Sequence, residues 1–220
     1  MGPDSVEDVS SAQTLFSDLV VAIETRDEAL DASLLWPEER AALGDVVAGR
    51  HWDWVMGRRC ARMAIEALGL ETAPILAGDK REPLWPAGVV GAITHTQGYA
   101  AAAVARTTSL QSVGVDAEPD EPLPTGVLRR IAVESEHVWL DSDVGGGVAN
   151  PDRLLFAIKE SVYKAWFPLA QRWLGFEDAV VRVDTATQHF EAEILIEGPL
   201  RAVSGRYASV DGIVMAAVEH

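Results

Sequence analysis

Residues 156–169 read FAIKESVYKAWFPL and hold two of the chain's three lysines, Lys159 and Lys164, either side of Glu160. The third, Lys80, stands beside Arg81 among the turn residues of GDKREPLWP (78–86). Upstream, VGVDAEP (113–119) sets Asp116 and Glu118 two residues apart. On a strand that spacing turns Gly114, Asp116 and Glu118 to one face and Val113, Val115 and Ala117 to the other. Two carboxylates about 7 Å apart along a strand repel unless a cation lies between them. Mg2+, held through carboxylates and substrate phosphate oxygens, meets that need. Lysine and arginine beside a turn grip phosphate. His95, in ITHT (93–96), can hydrogen-bond a phosphate oxygen, and Arg50, Arg58, Arg59 and Arg62 form a second basic cluster. Together these stretches describe a polyphosphorylated ligand, held by basic side chains and bridged by a metal ion on carboxylates.

Each feature alone also has a plainer reading. Glu160 and Lys164 are spaced as a surface i,i+4 ion pair contributing about 0.2–0.5 kcal/mol. An isolated D-x-E fits a solvated strand face, although Gly114 marks a close approach of another backbone or a ligand. A lone histidine on a strand is commonly a satisfied core residue, and an arginine-rich helix face is commonly solvated. What favours the ligand reading is coincidence: all three lysines fall within these few stretches.

The elements that must position these groups follow from pattern. WVMGRRCARMAIEALGL predicts a long amphipathic helix, with Val55, Cys60, Met63, Ala64 and Leu68 as its apolar stripe, the arginines beside it and Gly69 as its stop. SLLWPEERAAL (33–43) predicts a helix start. GVVGAITHT and AAAVAR predict strands joined at Gln97-Gly98, and SVGVDAEP a third strand. Residues 120–153 are the least regular, with one short helix around 126–132 and a Gly145-Gly146-Gly147 run. NPDRLLFAIKESVYKAWF opens a helix on Asn150 and Pro151, with Leu155, Ile158, Val162, Ala165 and Trp166 toward the core and Lys159, Glu160, Tyr163 and Lys164 at the stripe's edge. Strands follow near 179–184, 189–197 and 201–218. The expectation is an α+β chain with a flexible tail (1–13), an N-terminal half (14–112) and a C-terminal half (113–220).

Composition sets the bounds. The chain has 220 residues, 48% hydrophobic content and seven tryptophans, enough for a sizeable core. A net charge of −16 argues against nucleic acid as a partner, which needs a basic face, and means that an anionic ligand must be held by a local cluster. One cysteine, Cys60, excludes an intramolecular disulfide and a cysteine-based metal cluster. The first thirteen residues have no basic or apolar region of a signal peptide, and the later apolar runs are too mixed to span a membrane, so a cytoplasmic location is expected.

VGVDAE followed by FAIKESVYKAW resembles the paired signature of the 4'-phosphopantetheinyl transferases, in the larger pseudo-dimeric class of the surfactin-synthetase and enterobactin activators and closest to actinobacterial members. GDKREPLWP and ITHT resemble the class's upstream motifs, and GRRCARMAIEALG its first basic helix. The likeness spans roughly residues 48 to 178. It implies two similar α/β halves forming a pseudo-dimer, with the active site in the cleft between them, and no partner subunit, hence a monomer. It implies that coenzyme A, as substrate, donates its phosphopantetheine arm to a serine of an apo acyl or peptidyl carrier protein of fatty-acid, polyketide or nonribosomal peptide synthesis, leaving adenosine 3',5'-bisphosphate. Asp116, Glu118 and Glu160 match the metal ligands, for Mg2+ with Mn2+ as the alternative ion. Glu160, or a water it orients, matches the general base, and Lys164 and Lys159 match groups that neutralise the diphosphate. Lys80, Arg81, Thr94, His95, Asp116, Arg50 and Arg58, with Lys159 and Lys164, match the positions that bind coenzyme A. The chain departs from many members in carrying alanine and threonine, not serines, around His95. The glycine run at 145–147 has no counterpart.

Carrier proteins are acidic, so a local patch must overcome the repulsion between two anionic bodies. Leu123, Leu128, Arg129, Arg130 and Ile131 in LPTGVLRRI are the expected docking residues. Two other functions use the same residue set: a Mg2+-dependent hydrolase of coenzyme A or nucleotide diphosphates with water as nucleophile, and a non-catalytic coenzyme A-binding module.

Overall fold

The computed structural model describes residues 10–26, 31–43, 48–140 and 148–220. The Gly145-Gly146-Gly147 run and residues 1–9 lie outside them. The described elements form four layers, helix on sheet on sheet on helix. The outer helices are α1 (Pro37–Leu43) with α2 (Ala48–Ala67) on one side, and α5 (Pro151–Ala170) on the other. The first sheet runs β1 (Val20–Thr25), β5 (Tyr99–Arg106), β4 (Val89–Thr96), all antiparallel. The second runs β6 (Val113–Pro119), β10 (Ile213–Glu219), β9 (Ala202–Val210), β8 (His189–Ile194), β7 (Ala179–Asp184), also antiparallel. A two-residue ladder, β2 (Leu76–Ala77) with β3 (Pro83–Leu84), carries the 78–82 turn. Two short helices, α3 (Leu128–Ile131) and α4 (Glu134–Leu140), occupy the region where one was expected. Among the described residues no helix is long and apolar enough to cross a membrane.

The layering explains the alanine run of β5. Every residue from Tyr99 to Ala105 is buried, because the strand is covered on both faces. Ala102 and Val104 meet Cys60, Ala61, Ala64 and Ile65 of α2. Ala101, Ala103 and Ala105 share a core with Val113, Val115 and Ala117 of β6 and with Met215 and Ala217 of β10. Small side chains let the two sheets approach closely. On the far side, Val214, Ala216 and Val218 pack against Leu155, Ile158, Val162, Ala165 and Trp166 of α5. The period-two reading of β6 and the apolar stripe of α5 therefore hold.

Both halves use one order of elements. Each opens with a strand, continues into a 20-residue helix, and closes with a strand that pairs antiparallel with the opening one: β1 with β5, and β6 with β10. An α+β chain with antiparallel sheets is the result.

Four local expectations change. Residues 10–13 are not part of a free tail: Glu24 accepts hydrogen bonds from the N–H of Ser11 and Ala12, and Ala12 is buried. The long last strand is a hairpin, turning at Asp211 (φ 52°) and Gly212 (φ 76°), the left-handed pair that matches strand twist. β1 was not anticipated. In α2, Met63 is exposed while Arg58 and Arg62 are buried, because α1 covers that flank. Arg62 donates to both oxygens of fully buried Glu39, which also accepts from the N–H of Trp36 and Ile75. Arg62 is thus tied up in holding α1 to α2.

Candidate active site

The site begins at Gly114. A Cβ there would stand 2.0 Å from the Ser161 carbonyl oxygen, so only glycine lets β6 lie this close to α5. That approach brings the Lys164 ammonium to 2.7 Å from Asp116 Oδ1 and 3.0 Å from the Val115 carbonyl. Thr94 of β4 completes the setting: its hydroxyl donates to the same Asp116 oxygen at 3.1 Å and accepts from the Ala117 N–H at 3.0 Å. Asp116 Oδ2 is buried and has no hydrogen-bond partner, which is where a further cation would find an open ligand atom.

Glu118 and Glu160 flank this pair. Burial, and then the Asp116 charge, push the Glu118 carboxyl up to about 7, against the pull of Arg153 and Lys164. Burial and Asp116 raise Glu160 as well, with Lys164 opposing. Each of the two thus feels the charge of Asp116. The three carboxylates do not close into a ligand set: among the described residues no three Asp, Glu, His or Cys side chains are placed to hold a metal ion. Two protein cations occupy the space instead, Lys164 on Asp116 and Arg153 on Glu118 at 3.0 Å. Arg153 is held in turn by the carbonyls of Glu121 and Pro122.

Beside the carboxylates lies a cavity of about 540 Å³ lined in part by Asp53, Trp54, Arg58, Arg81, Ile93 and His95. Alternation along β4 sends Ile93 and His95 into it and Thr94 to Asp116. The Arg58 guanidinium lies 3.1 Å from the centre of the Trp54 ring and donates to the Ile75 carbonyl at 2.9 Å. Burial lowers Arg58 to about 10, so it stays cationic at neutral pH. His95 Nδ1 stands 3.4 Å from Asp53. Arg81 takes a left-handed backbone (φ 69°) in the turn between β2 and β3, where the Lys80 N–H donates to Glu82 and the Lys80 residue is exposed. Arg50 falls in the first turn of α2.

Lys159 goes elsewhere. Its side chain is 1% exposed and its ammonium meets Glu136 at 2.8 Å and the carbonyls of Ile131 and Phe176 at 2.8 and 2.7 Å. It therefore faces the C-terminal core and not the diphosphate expected of it, since the step from Lys159 to Glu160 turns the helix by about 100°. Of the expected docking residues, Ile131 is 2% exposed and packs in that core with partly buried Leu123 and Leu128, which leaves Arg129 and Arg130 on the surface. Residues the sequence reading passed over are Asp53, Trp54, Arg153 and Glu136. Two had a visible signal: Trp54 and Arg58 are four apart, and Arg153, Glu160 and Lys164 recur at i, i+7 and i+11 on one helix face.

Known proteins match this chain in sequence. Residues 38–105 match the 4'-phosphopantetheinyl transferase N-terminal domain, and residues 112–218 match the 4'-phosphopantetheinyl transferase superfamily. The chain is 43% identical over 192 residues to 4'-phosphopantetheinyl transferase PptT of Mycobacterium tuberculosis, covering 83% of this chain and 84% of that one. It is 43% identical to Svp of Streptomyces mobaraensis (84% and 78% covered) and 38% identical to Npt of Nocardia iowensis (84% and 88% covered), both also 4'-phosphopantetheinyl transferases. Likeness of that depth across both halves leaves one assignment: the chain belongs to the 4'-phosphopantetheinyl transferases, which move the phosphopantetheine arm of coenzyme A onto carrier proteins.

Proposed function

We propose that the arm is transferred at the Asp116–Lys164 pair, in the cleft where the two halves of a pseudo-dimer meet. The observation that carries this is the buried, unpartnered Asp116 Oδ2 beside a cavity lined by Arg58, Arg81 and His95. Asp116, Glu118 and Glu160 are the residues to hold Mg2+, or Mn2+ in its place. When bound, the ion supplies Lewis-acid charge stabilisation on the diphosphate and a template for it. Binding requires that Glu118 share or release Arg153.

The chain's own groups account for the rest. Arg58, Arg81, His95 and Lys80 hold the phosphates of coenzyme A, with Arg50 at the entrance turn of α2, and Thr94 holds Asp116 in place. Lys164 offers its ammonium group to the diphosphate, with two of its three N–H groups engaged on Asp116 and Val115. Glu160, raised above the ordinary carboxylate range, accepts the proton of the carrier serine directly or through one water. The serine oxygen bonds to the phosphorus of the arm, the diphosphate P–O bond breaks, and adenosine 3',5'-bisphosphate leaves with the electron pair.

The partner is an apo acyl or peptidyl carrier protein, met by a monomer in the cytoplasm. Both bodies are acidic, and Arg129 and Arg130 supply the local positive patch. The test is incubation with coenzyme A, Mg2+ and apo carrier protein, read by intact mass of the carrier, beside Glu160→Gln and EDTA controls. One added phosphopantetheine group, lost in both controls, is the expected result. Free phosphopantetheine with an unmodified carrier would overturn it in favour of a hydrolase, and coenzyme A bound without turnover would leave a binding module. Replacing Arg129 and Arg130 with Glu should weaken carrier turnover; unchanged turnover removes the docking assignment.

A further inference from the structure

The buried lysine next to Glu160 has no part in the reaction as described. Lys159 has three N–H donors and three acceptors: Glu136 Oε2, the Ile131 carbonyl and the Phe176 carbonyl. Glu136, fully buried, is equally complete. Its Oε2 also accepts from the Val133 N–H at 2.9 Å, and its Oε1 accepts from the Val181 N–H at 2.8 Å. The pair thus gathers the end of α3, the start of α4, the first residues of β7 and the 176–178 turn onto α5, at the residue preceding Glu160. Apolar packing of Leu128, Ala132 and Leu140 on the same core supplies contact without direction. A buried ion pair adds little stability over an apolar pair of equal volume, whereas its hydrogen bonds are directional. What this pair supplies is register.

We propose that Glu136 and Lys159 are a positioning pair that fixes residues 128–140, with exposed Arg129 and Arg130, relative to Glu160, so that a carrier protein seated on that segment presents its serine to the base. This rests on the carrier-directed reading of the site. Neither side chain is among those lining the cavity proposed for coenzyme A, so loss of the pair should be felt in the carrier step.

The test compares wild type with Lys159→Met, Glu136→Gln and the apolar double replacement Lys159→Met with Glu136→Leu, the last chosen to keep a folded core. Four quantities are read: KM for apo carrier protein, coenzyme A affinity by calorimetry, amide hydrogen exchange along the chain, and melting temperature. The expected result is a carrier KM raised roughly tenfold or more with coenzyme A affinity held within about twofold. Exchange should become faster in residues 128–140 and stay unchanged in β6, and the double variant should show both effects despite a recovered melting temperature. Coenzyme A affinity falling in step with the carrier KM would overturn the proposal, since Lys159 would then act on that substrate. Wild-type exchange at 128–140 in the folded double variant would overturn it too. A wild type that modifies no carrier would refute the carrier reading separately, and the exchange comparison would still decide whether the pair holds the segment.

Discussion

Lys164 and Asp116 meet at 2.7 Å across the α5–β6 contact, and the pairing leaves Asp116 Oδ2 buried without a partner. An open carboxylate oxygen beside one protein cation is what the metal role proposed for Asp116 requires. Converting Asp116→Asn or Lys164→Met removes a charge that the surrounding hydrogen bonds hold in place. Transfer should fall by roughly 10²–10³-fold, the scale seen when one such group is lost. Initial rates of carrier modification check this, with circular dichroism confirming the fold.

Metal binding should be linked to protons. Glu118 titrates near 7 in the ion-free protein because it is buried beside Asp116. Below that pH the group is protonated, and an ion must displace the proton, so affinity falls as pH falls through 7 and levels off above it. The same shift means that the ion-free fold loses stability as pH rises from the ordinary carboxylate range through 7, where a buried carboxylate must ionise. Mn2+ titration at about pH 6 and about pH 8 reads the first effect. Glu118→Gln should bind Mn2+ weakly and with a flatter pH dependence. Equal wild-type affinity at both pH values would contradict the assignment of Glu118 as a ligand.

Gly114→Ala should be disproportionately harmful for one methyl group. The added carbon would stand 2.0 Å from the Ser161 carbonyl and 3.1 Å from the Ala165 nitrogen, both backbone atoms of α5. The helix must move, at about 1–3 kcal/mol for overpacking, and Lys164 moves with it. A lowered melting temperature together with lost transfer is expected, measured on one preparation.

Asp120 governs an acid-sensitive anchor. Burial by itself would raise this carboxyl, but hydrogen bonds from Ser209, from the Asn150 side chain and from the N–H groups of Ala149 and Asn150 outweigh it and hold it below the ordinary value. A depressed carboxylate gives stability that is complete above its unfolded value and is lost as pH falls through the folded one. Asp120→Ala should therefore destabilise the protein by about 1 kcal/mol at neutral pH, and the gap to wild type should close in acid. Urea denaturation at the two pH values measures it.

The sequence by itself named most of the residues of the proposed site. Asp116, Glu118, Glu160 and Lys164 stood out as candidates because strand and helix periods fix which neighbours share a face, and Gly114 because a strand glycine signals the close approach that the structure shows. Three strands were legible too, expected over 88–96, 101–106 and 112–119 and observed over Val89–Thr96, Tyr99–Arg106 and Val113–Pro119. The Asp211-Gly212 turn was there to be read as a hairpin but was passed over. Tertiary structure decided the rest. Lys159 and Lys164 look alike along the chain, yet one is consumed by Glu136, 23 residues away, and the other by Asp116 on a neighbouring strand. Arg58 and Arg62 sit four apart on one helix, but only Arg58 lines the cavity, because Glu39 of α1 claims Arg62. Long basic side chains reach in several directions, and the partner that captures each is set by which element is packed over it. Local periodicity fixes where a side chain leaves the backbone; only the assembled layers fix where its charge comes to rest.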